Sequence, residues 1–330
     1  MERKEAIHLF EKNNELEIAD YHSDRRACRV NKKIHDQYIG NDIFESNVQF
    51  WLDNFEEQET LLRLLANYTY VPELMYGGYL DDLTDDVAAR CKEGKAILAD
   101  TCFITFPSSK GIKSGGDVIR SLLPVGHLES IGKDQLIADA GKNLNYIKNA
   151  KCIVFIDDMV GSGETARKNV TRVLDKLGSL ENKKIFLAVM FAETSSIERL
   201  KAEFQSQGYP VEVFAHRYCQ KCMSEGYIFS REEIGEKEGM LREYEERIAG
   251  QKVNQGNSCA MGFRNSQLLL SFFYNTPNNT LCMFWSAAGG NAPPFARTSR
   301  QRPKIDEIKG IRERRKRNAY EMAKLARTNE

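Results

Sequence analysis

The chain of 330 residues reads as an α/β protein built on a mostly parallel sheet, with helical additions at its N- and C-terminal ends. Three observations predict this. Apolar runs recur near residues 96, 151, 184 and 210, separated by stretches of helical spacing, the order of βαβ units with right-handed crossovers. The run 152–156, CIVFI, is apolar throughout and rich in β-branched residues, as a strand covered on both faces is. It leads into an acidic pair, a loop of small residues and an amphipathic helix, and open α/β sheets place ligands at such carboxyl ends.

Taken in order, residues 1–43 are polar and predict an extended arm or short helices. Residues 44–93 predict helices: Val48, Trp51, Leu52 and Phe55 fall at i, i+3, i+4 and i+7, and Leu61, Leu62, Leu64 and Leu65 supply a second apolar stripe. The acidic run DDLTDD at 81–86 reads as a solvated helix start rather than a metal site. Residues 96–106 read as a strand, followed by a loop of serines, lysines and glycines at 107–116 that enters a helix near Asp117. Strand, Ser/Gly/Lys loop and helix is an anion-binding order, and equally that of a mobile surface loop. After strand 152–156, the stripe Ala166, Val170, Val173, Leu174 and Leu177 predicts a helix. Residues 184–192 are another buried strand, 193–196 cap a helix running to about Phe204, and 210–215 are a further strand. Residues 231–249 predict a charged helix with a solvated face. Residues 258–286 are apolar around an Asn-Thr-Pro-Asn-Asn turn at 275–279, with a short strand expected at 281–285. The division is a mostly helical region 1–95, an α/β core 96–225, and a helical region 226–330 with a late core strand at 281–285 and a basic tail.

Composition narrows the function classes. Lys plus Arg and Asp plus Glu both number 47, so no global charge points to a polyanion. No apolar run approaches the ~20 residues that span a bilayer, and the polar N-terminus has no secretory-signal pattern, so no membrane partner is expected. Several of the eight cysteines, among them Cys102, Cys152 and Cys282, lie inside apolar runs, as buried thiols of a cytoplasmic protein do. Cys219 and Cys222 form a CxxC just after His216, but no second CxxC follows, and a zinc site would need Cys259 from afar. The tail is basic, with RERRKR at 312–317, and suits either a nucleic acid or acidic protein partner or a frayed terminus.

The densest chemistry lies at 152–174. Asp157 and Asp158 end the strand, Gly161, Ser162 and Gly163 allow a close backbone approach, and Glu164 and Thr165 open the helix, whose free N–H groups and dipole attract an anion. A plain β–α turn with an Asp cap has the same local pattern. A metal-binding pair of a polymerase or nuclease would lie in a hairpin or beside other acids, and the Lys of a P-loop is missing after Gly163.

This stretch resembles the phosphoribosyl-pyrophosphate (PRPP) motif of type I phosphoribosyltransferases: apolar residues, two acids, two apolar residues, two hydroxyl residues, Gly, a small residue, then Ser or Thr. Asp157-Asp158, Met159-Val160, Ser162, Gly163 and Thr165 match it, whereas Gly161 stands at a hydroxyl position and Glu164 at a small one. The resemblance implies the type I phosphoribosyltransferase fold. It implies that Asp157 and Asp158 receive the ribose hydroxyls, that 161–165 wraps a 5′-phosphate, and that Mg²⁺ bridges ligand and carboxylates. It implies a second, pyrophosphate loop, for which Ser109, Lys110, Lys113, Ser114 and Gly115 are the candidates. The segments 51–55, 104–123 and 263–285 are similar to a subgroup tied to prokaryotic anti-phage systems, including those encoded beside retron reverse transcriptases. From that resemblance Arg264, Asn265, Asn275 and Asn278 are candidates for the substrate mouth. The expected activity is glycosyl transfer at C1′ or cleavage of a nucleotide N-glycosidic bond by a defence effector. The alternatives are an inactive nucleotide sensor, or a subunit of a nucleoprotein complex that meets a reverse transcriptase or nucleic acid through residues 303–330.

Overall fold

The computed structural model describes residues 1–14, 41–91, 99–106, 115–123 and 131–297. In chain order the strands are β1 (Thr69–Val71), β2 (Thr101–Thr105), β3 (Leu136–Ile137), β4 (Cys152–Val160), β5 (Lys184–Glu193), β6 (Val211–Cys219) and β7 (Leu270–Phe272). The helices are α1 (Arg3–Asn13), α2 (Asn41–Leu52), α3 (Gln58–Ala66), α4 (Glu73–Arg90), α5 (Gly115–Leu122), α6 (Leu144–Asn149), α7 (Glu164–Leu177), α8 (Thr194–Ser206) and α9 (Arg231–Ala249).

Five strands make one parallel sheet in the order β3-β2-β4-β5-β6, as the apolar runs predict. Side chains alternate across it with the two-residue period of a strand. Cys152, Val154 and Ile156 of β4 join a core with α4 and α5, while Ile153 and Phe155 join the opposite core with α7 and α8. Both faces are covered, which is why the runs 152–156 of β4 and 185–192 of β5 are apolar without a break.

A third core lies apart from the sheet. Buried residues of α1, α2, α3 and α9 surround Trp51, Tyr68, Phe284 and Phe295, with the Tyr68 and Phe295 rings stacked at 4.3 Å between centroids. It draws on residues from both ends of the described chain. The link is reinforced by β1, which pairs in parallel with β7 in a separate two-stranded sheet.

Four sequence expectations change. Residues 69–71, inside the stretch read as helical, form β1, because their backbone groups pair with 270–272, about two hundred positions away. The acidic run 81–86 lies in the middle of α4 rather than at its start. The strand read at 152–156 continues through the acidic pair to Val160, because β5 supplies partners as far as Ala192. The late strand is β7 at 270–272, outside the main sheet, and 281–285 instead carries a 3₁₀ turn at Cys282–Phe284.

That last change has a local cause. Glu245 of α9 is fully buried, and its carboxylate accepts the backbone N–H groups of Met261 (2.8 Å), Cys282 (2.8 Å) and Met283 (2.7 Å). Two of the amides that a strand would use are already taken. Burial pushes the Glu245 carboxyl up to about 7, against the opposing pull of these hydrogen bonds. Between its ordinary value and about 7, the folded protein holds a proton that the unfolded chain has released. Stability therefore falls as pH rises through that window and levels off above it. A shift from 4.5 to about 7 is worth up to about 3 kcal/mol. Urea unfolding between about pH 5 and 8 should show this fall in the wild type and a shallower one in Glu245→Gln. Equal slopes in the two proteins would exclude Glu245 as a source.

Candidate functional site

The site begins with a reversal in the sheet. α5, which follows β2 in the chain, packs through Val118 and Ile119 on one face, while α7, which follows β4, packs through Ala166, Val170 and Val173 on the other. Adjacent strands whose helices leave to opposite faces open a crevice at their carboxyl ends. Asp157 and Asp158 stand in it.

Asp158 is 6% exposed and Asp157 is half-buried. Burial raises the Asp157 carboxyl above its ordinary range, and the neighbouring Asp158 raises it further. Burial lifts Asp158 to about 7, with hydrogen bonds pulling the other way. The Tyr274 hydroxyl donates to Oδ2 of Asp158. Gly115 comes so close that a Cβ there would lie 2.2 Å from the Asp158 carboxyl. Tyr76 of α4 is buried, and its hydroxyl has no hydrogen-bond partner among the described residues. Burial first, and then the charges of Asp158 and Asp157, hold that hydroxyl in its protonated form.

The small-residue loop is fastened from behind by α8. The Glu193 carboxylate caps that helix through the N–H groups of Ser195 and Ser196 and accepts the Ser196 hydroxyl at 2.8 Å. Ser196 Oγ also reaches the carbonyl of Gly161, and Arg199 donates to the carbonyl of Ser162 at 2.7 Å. Gly163, at φ 76°, turns the chain into α7 in a left-handed conformation that favours glycine. The loop carbonyls are thus drawn toward α8, and the first N–H groups of α7 open the helix beside the carboxylates.

Both departures from the motif find partners in the late segment. Glu164 pairs with Lys168 at 2.5 Å and with Arg264 at 3.4 Å, so its charge is balanced where it borders the anion-binding loop. Lys168 first, and Arg264 with it, hold the Glu164 carboxyl below its ordinary range. A Cβ on Gly161 would lie 2.0 Å from Nδ2 of Asn279, so the Asn279 carboxamide fills the space where other chains carry a hydroxyl residue. Asn279 is held there by a hydrogen bond from its Nδ2 to Ser266 Oγ at 3.1 Å.

The predicted site residues therefore divide. Asp157 and Asp158 at the end of β4, Gly161, Ser162 and Gly163 in the loop, and Glu164 and Thr165 at the start of α7 form one continuous strand–loop–helix segment, and Gly115 and Arg264 reach it. Asn265, Asn275 and Asn278 shape the late segment: Asn265 Oδ1 accepts from Gln267, the Asn275 backbone closes on Phe272, and the Asn278 carbonyl accepts from Phe263. Ser109, Lys110, Lys113 and Ser114 lie outside the described residues, as does the tail 303–330. Sequence reasoning missed Tyr76, Tyr274, Asn279, Ser196 and Arg199. Asn279 belongs to the turn that was singled out, and Ser196 to the cap, but no local pattern marks the tyrosines or Arg199.

The CxxC divides between two cores, Cys219 packing against the sheet and Cys222 within the N-terminal core. Burial pushes both thiols above their ordinary value. Among the described residues no group of three or more His, Cys, Asp or Glu side chains is arranged to hold a metal ion, and no helix is long and apolar enough to cross a membrane.

A parallel sheet with this reversal, an acidic pair at its carboxyl edge and a helix-opening loop beside it define a phosphoribosyltransferase-like protein. A family model, PRTase-CE, matches residues 48–297, from within α2 to the end of the described chain. The chain belongs to the PRTase-CE family, which supports a function of the phosphoribosyltransferase type. No curated protein and no solved structure matches it.

The contact between Gly161 and Asn279 predicts a paired effect. Gly161→Ser should lower stability by about 1–3 kcal/mol through overpacking, and adding Asn279→Gly should recover most of it. Thermal unfolding of the three variants measures this, and a fully stable Gly161→Ser protein would show that the contact is not tight.

Proposed function

We propose that this protein binds a 5′-phosphorylated ribose compound, PRPP or a nucleotide, together with Mg²⁺, and transfers or cleaves at C1′. The observation that carries the reading is the strand–loop–helix segment that runs from Asp157 and Asp158 through the loop 161–163 into α7, with the loop carbonyls fastened to α8. A 5′-phosphate suits the opening of α7. The ribose 2′- and 3′-hydroxyls suit the carboxylates, which accept hydrogen bonds when ionised.

The donor set also fits a divalent cation. Two adjacent carboxyls, both lifted above their ordinary range, gain their second charge most readily beside a positive ion. Asp157 and Asp158 would hold the ion, with ligand oxygens and water as its other donors. When bound, magnesium supplies charge neutralisation to the departing group. The protein's own residues do the rest: the loop fixes the phosphate and the carboxylates fix the ribose as C1′ passes through an oxocarbenium-like state.

The similarity of the segments 51–55, 104–123 and 263–285 supports a role as an effector of a retron-type anti-phage system, held with a reverse transcriptase or nucleic acid through the basic tail 303–330. One observation favours a second reading, a sensor without chemistry: the Tyr274 hydroxyl already occupies Asp158, where a ribose hydroxyl would bind. A search for base, pyrophosphate or ribose products after long incubation separates the two.

Calorimetric titration of PRPP with Mg²⁺ should saturate in the wild type and vanish in Asp157→Asn/Asp158→Asn. That double variant should melt no lower than the wild type, since two buried carboxyls become neutral. Undiminished binding or turnover in it would remove the carboxylates from the site. Because Tyr274 competes with ligand hydroxyls for Asp158, Tyr274→Phe should bind the same ligand several-fold more tightly, about 1 kcal/mol. Weaker binding in Tyr274→Phe would make the tyrosine a ligand contact.

A further inference from the structure

On the α8 side of the phosphate loop, and lined in part by its Ser162, Gly163 and Glu164, lies a cleft of about 350 Å³ that extends beyond the loop. It is bordered by Arg167 of α7, Arg199 of α8 and Arg264 of the late segment, with Glu164, Glu203 and Leu200 between them. Arg264 pairs with Glu164 at 3.4 Å and Arg167 with Glu203 at 3.4 Å. Arg199 donates to neutral acceptors, the Ser162 carbonyl at 2.7 Å and the Ser196 hydroxyl at 2.8 Å. Three guanidinium groups against two carboxylates leave the cleft with one net positive charge, directly continuous with the phosphate loop through Ser162 and Gly163.

A ribose 5-phosphate monoester in the loop is satisfied by backbone N–H groups and the helix dipole, and reaches no further. The cleft has the volume of a small-molecule site, well beyond what one phosphoryl oxygen fills, and its planar guanidinium groups match phosphate geometry. Leu200 adds an apolar wall on which a sugar can rest. We infer that the site takes a nucleotide whose 5′-phosphate carries a further phosphoryl group, the loop 161–165 holding the first phosphate and the Arg167–Arg199–Arg264 cleft the second with the group esterified to it. The ligand class is a 5′-pyrophosphate-bridged nucleotide, a dinucleotide or a nucleoside diphosphate sugar. This rests on the ribose-phosphate reading of the loop. It places the bond broken or formed at C1′ on one ribose of such a compound, with the remainder anchored on the far side of the phosphate.

The test is calorimetry in the presence of Mg²⁺ with three probes, AMP, ADP and ADP-ribose, on the full chain and on Arg167→Gln. Arg167 is half-buried and, among the described residues, pairs with a half-buried Glu203, so its loss costs the fold little. The expected result is AMP binding that is equal in both proteins, with ADP-ribose binding about tenfold more tightly than AMP in the wild type and losing most of that gain in Arg167→Gln. ADP separates the sources of the gain. If ADP binds as tightly as ADP-ribose, the terminal phosphoryl group alone is recognised, and the bridged-ligand assignment is overturned. AMP binding without any gain for ADP or ADP-ribose overturns the cleft while leaving the ribose-phosphate site standing. Failure of all three probes, and of PRPP, overturns the ribose-phosphate reading and this one with it.

Discussion

Two adjacent carboxyl groups in a closed crevice are the constraint to which the rest of the structure answers. Side by side and shielded from water, they resist double ionisation, and both stand above their ordinary range. The chain has to supply what water would have supplied. The Asp158 N–H donates to Asp157 Oδ1 at 3.1 Å, and the Tyr274 hydroxyl donates to Asp158. α5 must begin with a residue lacking a side chain, because any Cβ at position 115 would strike the Asp158 carboxyl. What remains uncompensated is the feature a ligand can exploit. Ribose hydroxyls and a cation complement the pair better than the protein alone does, and the buried Tyr76 hydroxyl is a further group without an acceptor among the described residues.

The compensating groups come from far along the chain, so their placement needs its own support. The segment that carries Arg264, Tyr274 and Asn279 is pinned at both ends to α9 by one carboxylate, Glu245, which takes the amides of Met261, Cys282 and Met283. Between those pins, β7 pairs with β1, and the Ser271 hydroxyl meets Tyr68 at 2.7 Å. The helical N-terminal region is therefore more than an appendage: through β1 and Tyr68 it fixes the segment that completes the site. A buried carboxylate accepting three amides is costly to desolvate, yet leaving those amides unpaired would cost more. Replacing hydrogen-bonded strand geometry with this arrangement is what bends the chain at Cys282–Phe284 back toward α9.

The sheet and the motif were legible because their determinants are local. Continuous apolar runs report burial on both faces, and an acidic pair before a glycine loop and an amphipathic stripe reports a strand–turn–helix ligand edge. The cap at Glu193 was equally local, and the structure shows it holding Ser195 and Ser196. What sequence could not supply was pairing at long range. Thr69–Val71 has too few residues to declare itself a strand, and only its partner at 270–272 makes it one. Residues 281–285 are apolar enough for a strand, but nothing in them says that Glu245 has claimed their amides. Tyr274 and Tyr76 read as ordinary core aromatics, since the signal that singles them out is the position of Asp158.

The two departures from the phosphoribosyl-pyrophosphate motif are best understood as one change made in two places. A loop with a hydroxyl residue at 161 would have no room for the Asn279 carboxamide, and a small residue at 164 would leave Arg264 without its carboxylate. Conversely, Asn279 over a residue with a side chain would clash, and Glu164 without Arg264 would keep Lys168 alone to balance its charge beside a phosphate. Each substitution in the loop is thus intelligible only with the late segment in place. The loop has exchanged part of its local, self-sufficient chemistry for groups delivered by another region of the fold. The consequence for any ligand is physical rather than historical: phosphate affinity at this loop depends on the seating of the late segment, and so on the Glu245 tie and the β1–β7 pair that seat it.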